Sequence, residues 1–350
     1  MTKIKMVVVG FGGMGSYHAR DLVGKNDYLT TYGVYDIAEM KRAEAQNEGF
    51  KVYPTFASVL NDKAVEGVLI ATPNDSHKKL AIAALEAGKH VVCEKPVMLS
   101  VSDFDDVVAV AEKNQKVFMT HQNRRWDEDF LIMRDLYQSQ QLGELFQIES
   151  RVHGANGIPG DWRHLKAQGG GMLLDWGVHL LDQLLFMVDS PVKSVYADLS
   201  YVLGDEVDDG FVSQLIFENG FRAQIEVGTS NFIKLPRWYV KGYKGTGIIH
   251  DWDLTGELVL QRETTEKYEP TPIQAGQGLT KTMAPPSEEM TERKALPAAP
   301  TDLEPFYDNF YRVVREGAQP IVKNPEVREV LLLIERIFEA GLKQEKITMA

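Results

Sequence analysis

The chain of 350 residues contains one cysteine, no long apolar run and no cluster of basic residues. Its single cysteine, Cys93, cannot form an internal disulfide, which excludes a disulfide-stapled scaffold and agrees with a reducing compartment. At the N-terminus only four consecutive apolar residues precede a glycine loop, too few for a signal-peptide core or a membrane span. We therefore predict a cytoplasmic protein with no membrane partner.

Positive charge is also scarce relative to negative charge. The chain has 38 Lys and Arg against 50 Asp and Glu, a formal net charge of −12. Phosphate backbones and anionic lipid surfaces are repelled by such a chain, so nucleic acid is not an expected partner. Hydrophobic residues make up 44% of the sequence, enough to fill the cores of two globular domains.

The first part of the chain alternates short apolar strands with helical stretches. The opening run 4–9 is apolar almost throughout, which is typical of a parallel strand buried on both faces. Strands are predicted at 4–9, 29–35, 67–71, 90–93 and 117–120, and helices at 14–23, 40–48, 77–87 and 101–112. This alternation predicts a doubly wound parallel sheet of Rossmann type over residues 1–123.

After Trp126 the pattern changes, and strands dominate. Helices are predicted at 129–140, 172–187, 303–315 and 325–344, and strands at 145–153, 196–202, 211–217, 221–227, 238–242, 247–250 and 257–261. We predict an α+β domain over residues 124–350 with a mainly antiparallel open sheet, so that the whole chain is an α/β protein. Between about 265 and 301, six prolines interrupt any period and predict an extended segment.

A glycine loop follows the first strand, and we use this name for Gly10, Phe11, Gly12, Gly13, Met14 and Gly15. Its glycines allow a tight turn, close approach of the backbone to a pyrophosphate, and close packing of the helix on the strand. The N–H groups at the start of the next helix then face the phosphates. A bare structural turn is the alternative, but the strand before the loop and the helix after it favour a dinucleotide site.

Asp36 ends the second strand, 21 residues beyond Gly15. Its carboxylate can accept hydrogen bonds from both adenosine ribose hydroxyls and would repel a 2′-phosphate, which favours NAD over NADP. The alternative is a helix N-cap. Lys41 and Arg42 lie nearby, so NADP remains an alternative cofactor.

Lys95 lies in the turn Glu94-Lys95-Pro96, which follows an apolar strand at the carboxyl edge of the predicted sheet. An ammonium group at this edge can hydrogen-bond a substrate oxygen and help an alcohol to lose its proton as hydride leaves. A surface lysine in an ordinary turn is the alternative.

Asp175 and His179 are four residues apart in a leucine-rich predicted helix and would share one face of it. An imidazole titrates near neutral pH, so His179 can take a proton from a hydroxyl and return it, while Asp175 orients the ring or binds another hydroxyl. The alternative is a pair of satisfied core groups. No third ligand has a suitable spacing, so we predict no metal.

Five motifs in this order resemble the Gfo/Idh/MocA family of sugar and inositol dehydrogenases. They are the glycine loop, Ala71-Thr72-Pro73-Asn74 with His77, Glu94-Lys95-Pro96, Asn123-Arg124-Arg125-Trp126, and the glycine run 169–171 leading to Asp175 and His179. The resemblance runs from Ile4 to about residue 260 and returns in the last helices. It implies an NAD(P)-dependent dehydrogenase acting on a CH–OH group of a sugar, inositol or related polyol.

The resemblance also implies roles for individual residues. It makes Lys95, Asp175 and His179 the catalytic set, with His179 as the acid/base. The nicotinamide end of the cofactor would be lined by Thr72, Pro73, Asn74, His77, Glu94 and Lys95. Substrate would contact Arg124, with His153, Asn156, Trp162 and Arg163 as further candidates that also have ordinary structural interpretations. The open sheet of the second domain implies a homodimer or homotetramer.

Two other functions agree with the same motifs. One is a glycosidase that retains NAD and breaks a glycosidic bond through transient oxidation and elimination. The other is a non-catalytic sensor that reads a ligand with the dinucleotide fold and signals through a protein partner. A sensor does not need Lys95, Asp175 and His179, and all three are present.

Overall fold

The first domain is built on a five-stranded parallel sheet. A computed structural model describes residues 2–263 and 270–349 of the chain. The strands are β1 (Ile4–Val9), β2 (Leu29–Tyr35), β3 (Gly67–Ile70), β4 (His90–Cys93) and β5 (Phe118–Thr120). They lie in the order β2-β1-β3-β4-β5, and every neighbouring pair is parallel. The predicted doubly wound parallel sheet is confirmed.

Helices connect these strands. They are α1 (Gly13–Tyr17), α2 (Glu39–Asn47), α3 (Phe56–Asn61), α4 (His77–Glu86) and α5 (Val101–Lys113). The first differs from the prediction, because α1 passes into a π-helical turn at His18–Leu22. No prediction covered α3, which is too short for a periodic signal and begins at a capping box between Thr55 and Ser58.

A nine-stranded sheet forms the second domain. Its early elements are α6 (Glu128–Ser139), β6 (Leu145–His153), α7 (Val178–Met187), β7 (Val192–Ser200), β8 (Gly210–Phe217), β9 (Arg222–Gly228), β10 (Trp238–Gly242), β11 (Gly245–Ile249) and β12 (Gly256–Gln261). Only β6 and β9 pair in parallel among the described strands of this sheet. The mainly antiparallel sheet is therefore confirmed, with strand ends shifted by up to four residues from the predicted ones.

The proline-rich segment predicted at 265–301 begins outside the described residues. From residue 270 it contains a small hairpin of β13 (Ile273–Ala275) and β14 (Gly278–Thr280), then β15 (Thr291–Lys294). The last of these pairs with β12 at the edge of the large sheet. This part of the segment is thus more regular than predicted. Its backbone groups form hydrogen bonds to paired strands, and such pairing leaves no periodic pattern in the sequence.

Two long helices and a short strand end the chain: α8 (Phe306–Glu316), α9 (Asn324–Lys343) and β16 (Ile347–Thr348). The α8 side chains Phe306, Tyr307 and Phe310 are buried in the core of the first domain, although α8 follows the second domain in sequence. One stripe of α9 joins that core and another joins the second core. The boundary near residue 124 stays a prediction, and the last helices connect both cores.

Among the described residues, no helix has both the length and the apolar character that crossing a bilayer requires.

Candidate active site

The glycine loop lies between β1 and α1 and has the space that a pyrophosphate requires. Gly10 has a φ of +96°, and a Cβ there would lie 2.4 Å from the Ala71 carbonyl oxygen. A Cβ at Gly15 would lie 1.8 Å from the Gly10 carbonyl oxygen, so helix and loop touch at this position. Gly12 and Gly13 have no such neighbour within 4 Å. The loop is therefore closed on the protein side and open on the other, which fits a bound dinucleotide.

Asp36 follows β2 and points at this loop. One carboxylate oxygen accepts the Phe11 N–H at 2.7 Å and the other accepts the Ala38 N–H at 2.8 Å. Asp36 is not the helix N-cap that was the alternative, because Ala38 is the N-cap of α2 and no side chain caps this helix. The Asp36 carboxylate instead holds both the loop and the turn before α2. Each carboxylate oxygen retains a lone pair that can accept a ribose hydroxyl.

The segment after β3 braces the site. The two ring nitrogens of His77 lie 2.9 Å from the Thr72 carbonyl oxygen and 3.1 Å from the Pro96 carbonyl oxygen. Burial lowers the pKa of His77, so the ring is neutral and donates to one carbonyl at a time. Asn74 donates to the Gly169 carbonyl oxygen at 2.8 Å. His77 and Asn74 thus tie the edge of the sheet to the Lys95 turn and to the glycine run of the second domain.

Lys95 and Asp175 meet across the two domains. The Lys95 Nζ lies 3.0 Å from Asp175 Oδ1 and 2.9 Å from the Asp175 carbonyl oxygen. The second carboxylate oxygen of Asp175 lies 3.1 Å from Arg163 Nε. Burial raises the pKa of Asp175, but the Lys95 and Arg163 charges offset that effect and leave it below the usual range for aspartate. Asp175 is therefore ionised and holds both cations. The peptide bond before Pro96 is cis.

The helix predicted at 172–187 is not regular. Residues Leu173–Gly177 form a π-helical turn, and α7 begins only at Val178. A π turn holds more residues than an α turn, so the four-residue spacing of Asp175 and His179 does not place them as a regular helix would. The Leu173 N–H is accepted by the buried Asp208 carboxylate at 2.7 Å, which fixes the start of this turn.

His179 is buried beside these charges. Burial, followed by the Lys95 and Arg124 charges, lowers the pKa of His179 well below the usual value for histidine. Its Nδ1 atom is buried and has no hydrogen-bond partner among the described residues. A buried polar atom without a partner is costly, so its presence here points to a functional role. In contrast to His77, this imidazole is not committed to the backbone.

Arg124 borders a cavity beside the π-helical turn. Its guanidinium lies 4.3 Å from the Trp176 ring centroid and donates to Asp127 at 2.9 Å. Trp252, from the turn between β11 and β12, lies 5.8 Å from Trp176 between ring centroids. We call this the tryptophan cavity; its volume is about 350 Å³ and its lining is Arg124, Asp127, Glu128, Asp129, Trp176, Trp252 and Leu254.

The other predicted substrate residues are not all brought together. Arg163 reaches Asp175, and its guanidinium also lies over the Trp162 ring at 4.6 Å. His153 is buried at the end of β6, where it accepts the Leu235 N–H and lies 3.0 Å from a Glu226 carboxylate oxygen. Asn156 lies in an exposed bend.

Sequence reasoning missed a buried group around Glu94, which we call the Glu94 cluster: Glu94, His18, His121 and Tyr307. Both imidazoles lie at hydrogen-bond distance from the same Glu94 oxygen, and the Tyr307 hydroxyl bonds to His18. His18 lies three residues beyond Gly15, and His121 directly follows β5. Because both positions are close in sequence to motifs of the predicted cofactor site, the sequence could have indicated these two residues. Tyr307 could not be found, since only tertiary packing brings α8 to this place.

His18, Glu94 and His121 are also a possible ligand group for a metal ion. Their nitrogen atoms lie 2.6 and 2.8 Å from Glu94 Oε1. Ligands about 2.0 to 2.2 Å from a tetrahedral ion are separated by roughly 3.3 Å or more. The shorter distances are those of N–H donors on a carboxylate, so the arrangement is that of a hydrogen-bonded cluster.

Two family models match this chain. Residues 4–122 match the family model described as the oxidoreductase family with an NAD-binding Rossmann fold, and residues 130–248 match the GFO/IDH/MocA C-terminal domain. The chain belongs to the GFO/IDH/MocA oxidoreductase family. Membership supports a nicotinamide cofactor and dehydrogenase activity, and it confirms the resemblance seen in the motifs.

Several known proteins are similar to this chain over more than half of its length. A solved structure described as an NAD-binding protein from Listeria innocua is 62% identical, with a TM-score of 0.98 and full coverage of both chains. The uncharacterized oxidoreductase YhhX of Escherichia coli is 30% identical over 80% of each chain. A myo-inositol 2-dehydrogenase of Thermotoga maritima is 27% identical over 58% of this chain and 60% of its own length.

Proposed function

We propose that this protein is an NAD-dependent dehydrogenase that moves hydride between nicotinamide C4 and a carbinol carbon of a sugar, inositol or related polyol. The observation that carries the proposal is the meeting of Lys95 with Asp175 beside His179. A fixed ammonium group can stabilise the substrate oxygen, and an uncommitted imidazole can take the hydroxyl proton during alcohol oxidation.

The cofactor would be held by the glycine loop and by Asp36. Gly12 and Gly13 leave room for the pyrophosphate, and the Asp36 carboxylate would accept the ribose hydroxyls and repel a 2′-phosphate. The nicotinamide supplies a two-electron hydride acceptor. Residues after β3 and β4 reach the same edge of the parallel sheet, where open α/β sheets bind their ligands.

The protein side chains would handle the hydroxyl proton. The neutral His179 ring accepts this proton at the imidazole nitrogen that carries no hydrogen, because its lowered pKa keeps it unprotonated at neutral pH. The Lys95 ammonium donates a hydrogen bond to the same substrate oxygen and stabilises its growing negative charge. Asp175 limits the motion of Lys95 through two contacts. In the reverse direction the proton returns from His179 to the oxygen.

The tryptophan cavity supports a polyhydroxylated substrate. Trp176 and Trp252 offer flat apolar surfaces for the C–H faces of a ring, while the Asp127 and Glu128 carboxylates can accept hydroxyl hydrogens. A volume of about 350 Å³ is at the lower end of small-molecule sites and suits a single sugar or inositol. Relatives named inositol 2-dehydrogenases support the same substrate class.

The oligomeric state and the cellular location of the enzyme also stay proposals. We propose a homodimer or homotetramer, supported by the extent of the nine-stranded sheet, and light scattering on the purified chain tests it. We also propose a cytoplasmic location, supported by the single, buried thiol of Cys93.

The activity is tested with a panel of sugars, inositols and sugar acids, each with NAD and NADP, followed at the NADH absorbance band. We expect turnover of at least one polyol with net NADH production. Lys95→Met should lower kcat/KM by about a thousandfold, within the range for losing one donor that stabilises a developing negative charge. The matched control is Lys79→Met, which removes an exposed lysine from α4 and should leave kcat/KM unchanged. Full turnover by Lys95→Met would refute the catalytic assignment.

Net NADH production also distinguishes the alternatives. A glycosidase that retains NAD would consume a glycoside without accumulating NADH. A sensor would bind the dinucleotide and change no substrate in the panel.

A further inference from the structure

The Glu94 cluster places a carboxylate deep behind Lys95. Glu94 Oε1 accepts from His18 Nε2 at 2.6 Å and from His121 Nδ1 at 2.8 Å, while Oε2 accepts the Lys95 N–H at 3.2 Å. The Tyr307 hydroxyl lies 2.6 Å from His18 Nδ1. Four separate elements therefore meet at one carboxylate: the π-helical turn after α1, the end of β4, the end of β5, and the start of α8.

This carboxylate has no lysine or arginine as its partner among the described residues. The ammonium of Lys95, the next residue in the chain, is paired with Asp175 instead. Each imidazole needs only one N–H to make its bond to Glu94, so the neutral form of both rings satisfies the cluster. With Tyr307 donating to Nδ1, His18 is held in the tautomer that donates from Nε2. When both rings are neutral, the cluster holds no cation that compensates the charge of the Glu94 carboxylate.

The charge is stable in this place. Burial opposes ionisation of Glu94, but the two imidazoles hold the pKa of its carboxyl well below the usual range. Burial lowers the pKa of His18 and raises the pKa of the Tyr307 phenol well above its usual value, so both stay neutral. The edge-on packing of His18 and His121, 4.7 Å apart between ring centroids, fixes the two donors relative to each other.

We propose that His18, His121 and Tyr307 are positioning residues that hold Glu94 as a permanent anion, and that this anion lowers the reduction potential of the bound nicotinamide. The proposal rests on the nicotinamide site proposed above. The oxidised nicotinamide ring is a cation and the reduced ring is neutral, so a nearby fixed anion stabilises the oxidised form. In consequence NAD+ binds more tightly relative to NADH, and bound NADH becomes a stronger hydride donor.

The test measures cofactor binding and needs no substrate. The dissociation constants of NAD+ and NADH are measured on the full-length protein by calorimetry and by NADH fluorescence. Glu94→Gln keeps the shape and removes the charge. A charge within about 10 Å at an effective dielectric constant of about 20 changes an equilibrium by about tenfold. We therefore expect the ratio Kd(NAD+)/Kd(NADH) to rise about tenfold, equal to about 30 mV for this two-electron couple.

The positioning role is tested separately with two tyrosines of α8. Tyr307→Phe removes the donor to His18 Nδ1, so the tautomer that donates from Nε2 is no longer selected. The His18 hydrogen bond to Glu94 weakens, and the charged carboxylate becomes less stable. We expect the ratio to rise about threefold, as for the loss of one buried hydrogen bond. The control is Tyr311→Phe, which removes a hydroxyl one turn further along the same helix, where the ring packs on Tyr28. Its ratio should equal that of the wild type.

The outcomes separate the claims. An unchanged ratio in Glu94→Gln, with a melting temperature like that of the wild type, would overturn the proposal that the Glu94 anion lowers the reduction potential. A ratio in Tyr307→Phe equal to that in Tyr311→Phe would overturn the positioning role. If the wild-type protein binds neither dinucleotide, the proposed function itself fails. If it binds both but oxidises no polyol, the substrate class fails and the potential shift is still measured.

Discussion

At the scale of single residues, the site is organised by how each charge is paired. Asp175 is held between Lys95 and Arg163, Asp36 between two backbone N–H groups, and His77 between two carbonyl oxygens. These groups are fixed in place. His179 differs from these three groups, because its buried Nδ1 has no hydrogen-bond partner in the part of the chain that the structure describes. The uncommitted group is the one to which proton transfer is assigned.

Asp36 should decide the choice between NAD and NADP. Asp36→Asn keeps the shape of the side chain but removes the charge that would repel a 2′-phosphate. We expect Kd(NADP+)/Kd(NAD+) to fall by about tenfold, since one unit of nearby charge is removed. The Arg42 guanidinium, which donates to the Asp36 and Ile37 carbonyl oxygens, remains available to the phosphate. An unchanged ratio would show that Asp36 acts only by holding the glycine loop and the turn before α2.

His179 should titrate at unusually low pH. Its pKa is lowered by burial and by the Lys95 and Arg124 charges, so the ring stays neutral as the pH falls through 6.5. We expect kcat/KM for alcohol oxidation to stay level through pH 6.5 and to fall only at lower pH, where the base becomes protonated.

The contribution of Lys95 to this shift can be measured without activity. Lys95→Met removes a positive charge and should raise the pKa of His179 in an NMR titration of labelled histidine. Lys79→Met serves as the control and should leave it unchanged. If His179 has the same pKa in the wild type and in both variants, Lys95 is not a cause of its lowered pKa.

At the scale of secondary structure, two π-helical turns adjoin the site. His18–Leu22 carries a member of the Glu94 cluster, and Leu173–Gly177 carries Asp175. Such turns re-aim side chains and are frequent at functional sites. The second depends on close packing at its start, where Gly171 has a φ of +105° and a Cβ would lie 2.3 Å from Asp208 Oδ1.

Gly171→Ala should therefore displace the π-helical turn. A side chain in this backbone conformation costs roughly 1 to 3 kcal/mol, and the contact with Asp208 adds to it. We expect lower stability in chemical denaturation together with reduced kcat. Gly160→Ala is the matched control, because a Cβ there has no neighbour within 4 Å and the backbone needs no glycine. Equal stability of the two variants would contradict this role of Gly171.

At the scale of the whole molecule, the two domains are joined by more than the chain connection near residue 124. The α8 side chains lie in the first core, and α9 contributes to both cores. Arg125 lies at the junction, where it makes a two-pronged contact with Asp182 at 2.7 and 2.8 Å and a third bond to Glu326 at 2.7 Å. It connects the segment before α6 with α7 and α9.

Arg125→Met should destabilise the whole chain. It leaves Asp182 buried without a cation, which costs roughly 3 to 5 kcal/mol in the free energy of unfolding. Burial raises the pKa of Asp182 despite the arginine, which shows how strongly the site disfavours a lone carboxylate. The double variant Arg125→Met with Asp182→Leu should recover most of the loss.

The control for this junction is Arg328→Met, which breaks an exposed ion pair between α9 and Asp105. Denaturation curves should not distinguish it from the wild type. If Arg125→Met unfolds at the same denaturant concentration as Arg328→Met, the junction has no special role.

Features that depend on local sequence pattern could be predicted before the structure was known. Buried parallel strands leave apolar runs, a dinucleotide loop needs glycines where a side chain would collide, and strand ends place Asp36 and Lys95 at one edge of a sheet. These signals were enough for the fold class, the family and the candidate residues. The irregular elements left no such period, which is why α3 and the two π-helical turns were missed.

The pairing of the charged and polar groups, in contrast, depends on tertiary packing. The distance between Lys95 and Asp175 depends on how the domains pack. The same packing leaves His179 Nδ1 without a partner among the described residues. Tyr307 lies almost 290 residues from His18 and meets it because α8 returns to the first core. Local sequence sets backbone preference and burial pattern, but the state of a buried charge depends on neighbours that are distant in sequence, and those are settled only when the cores form.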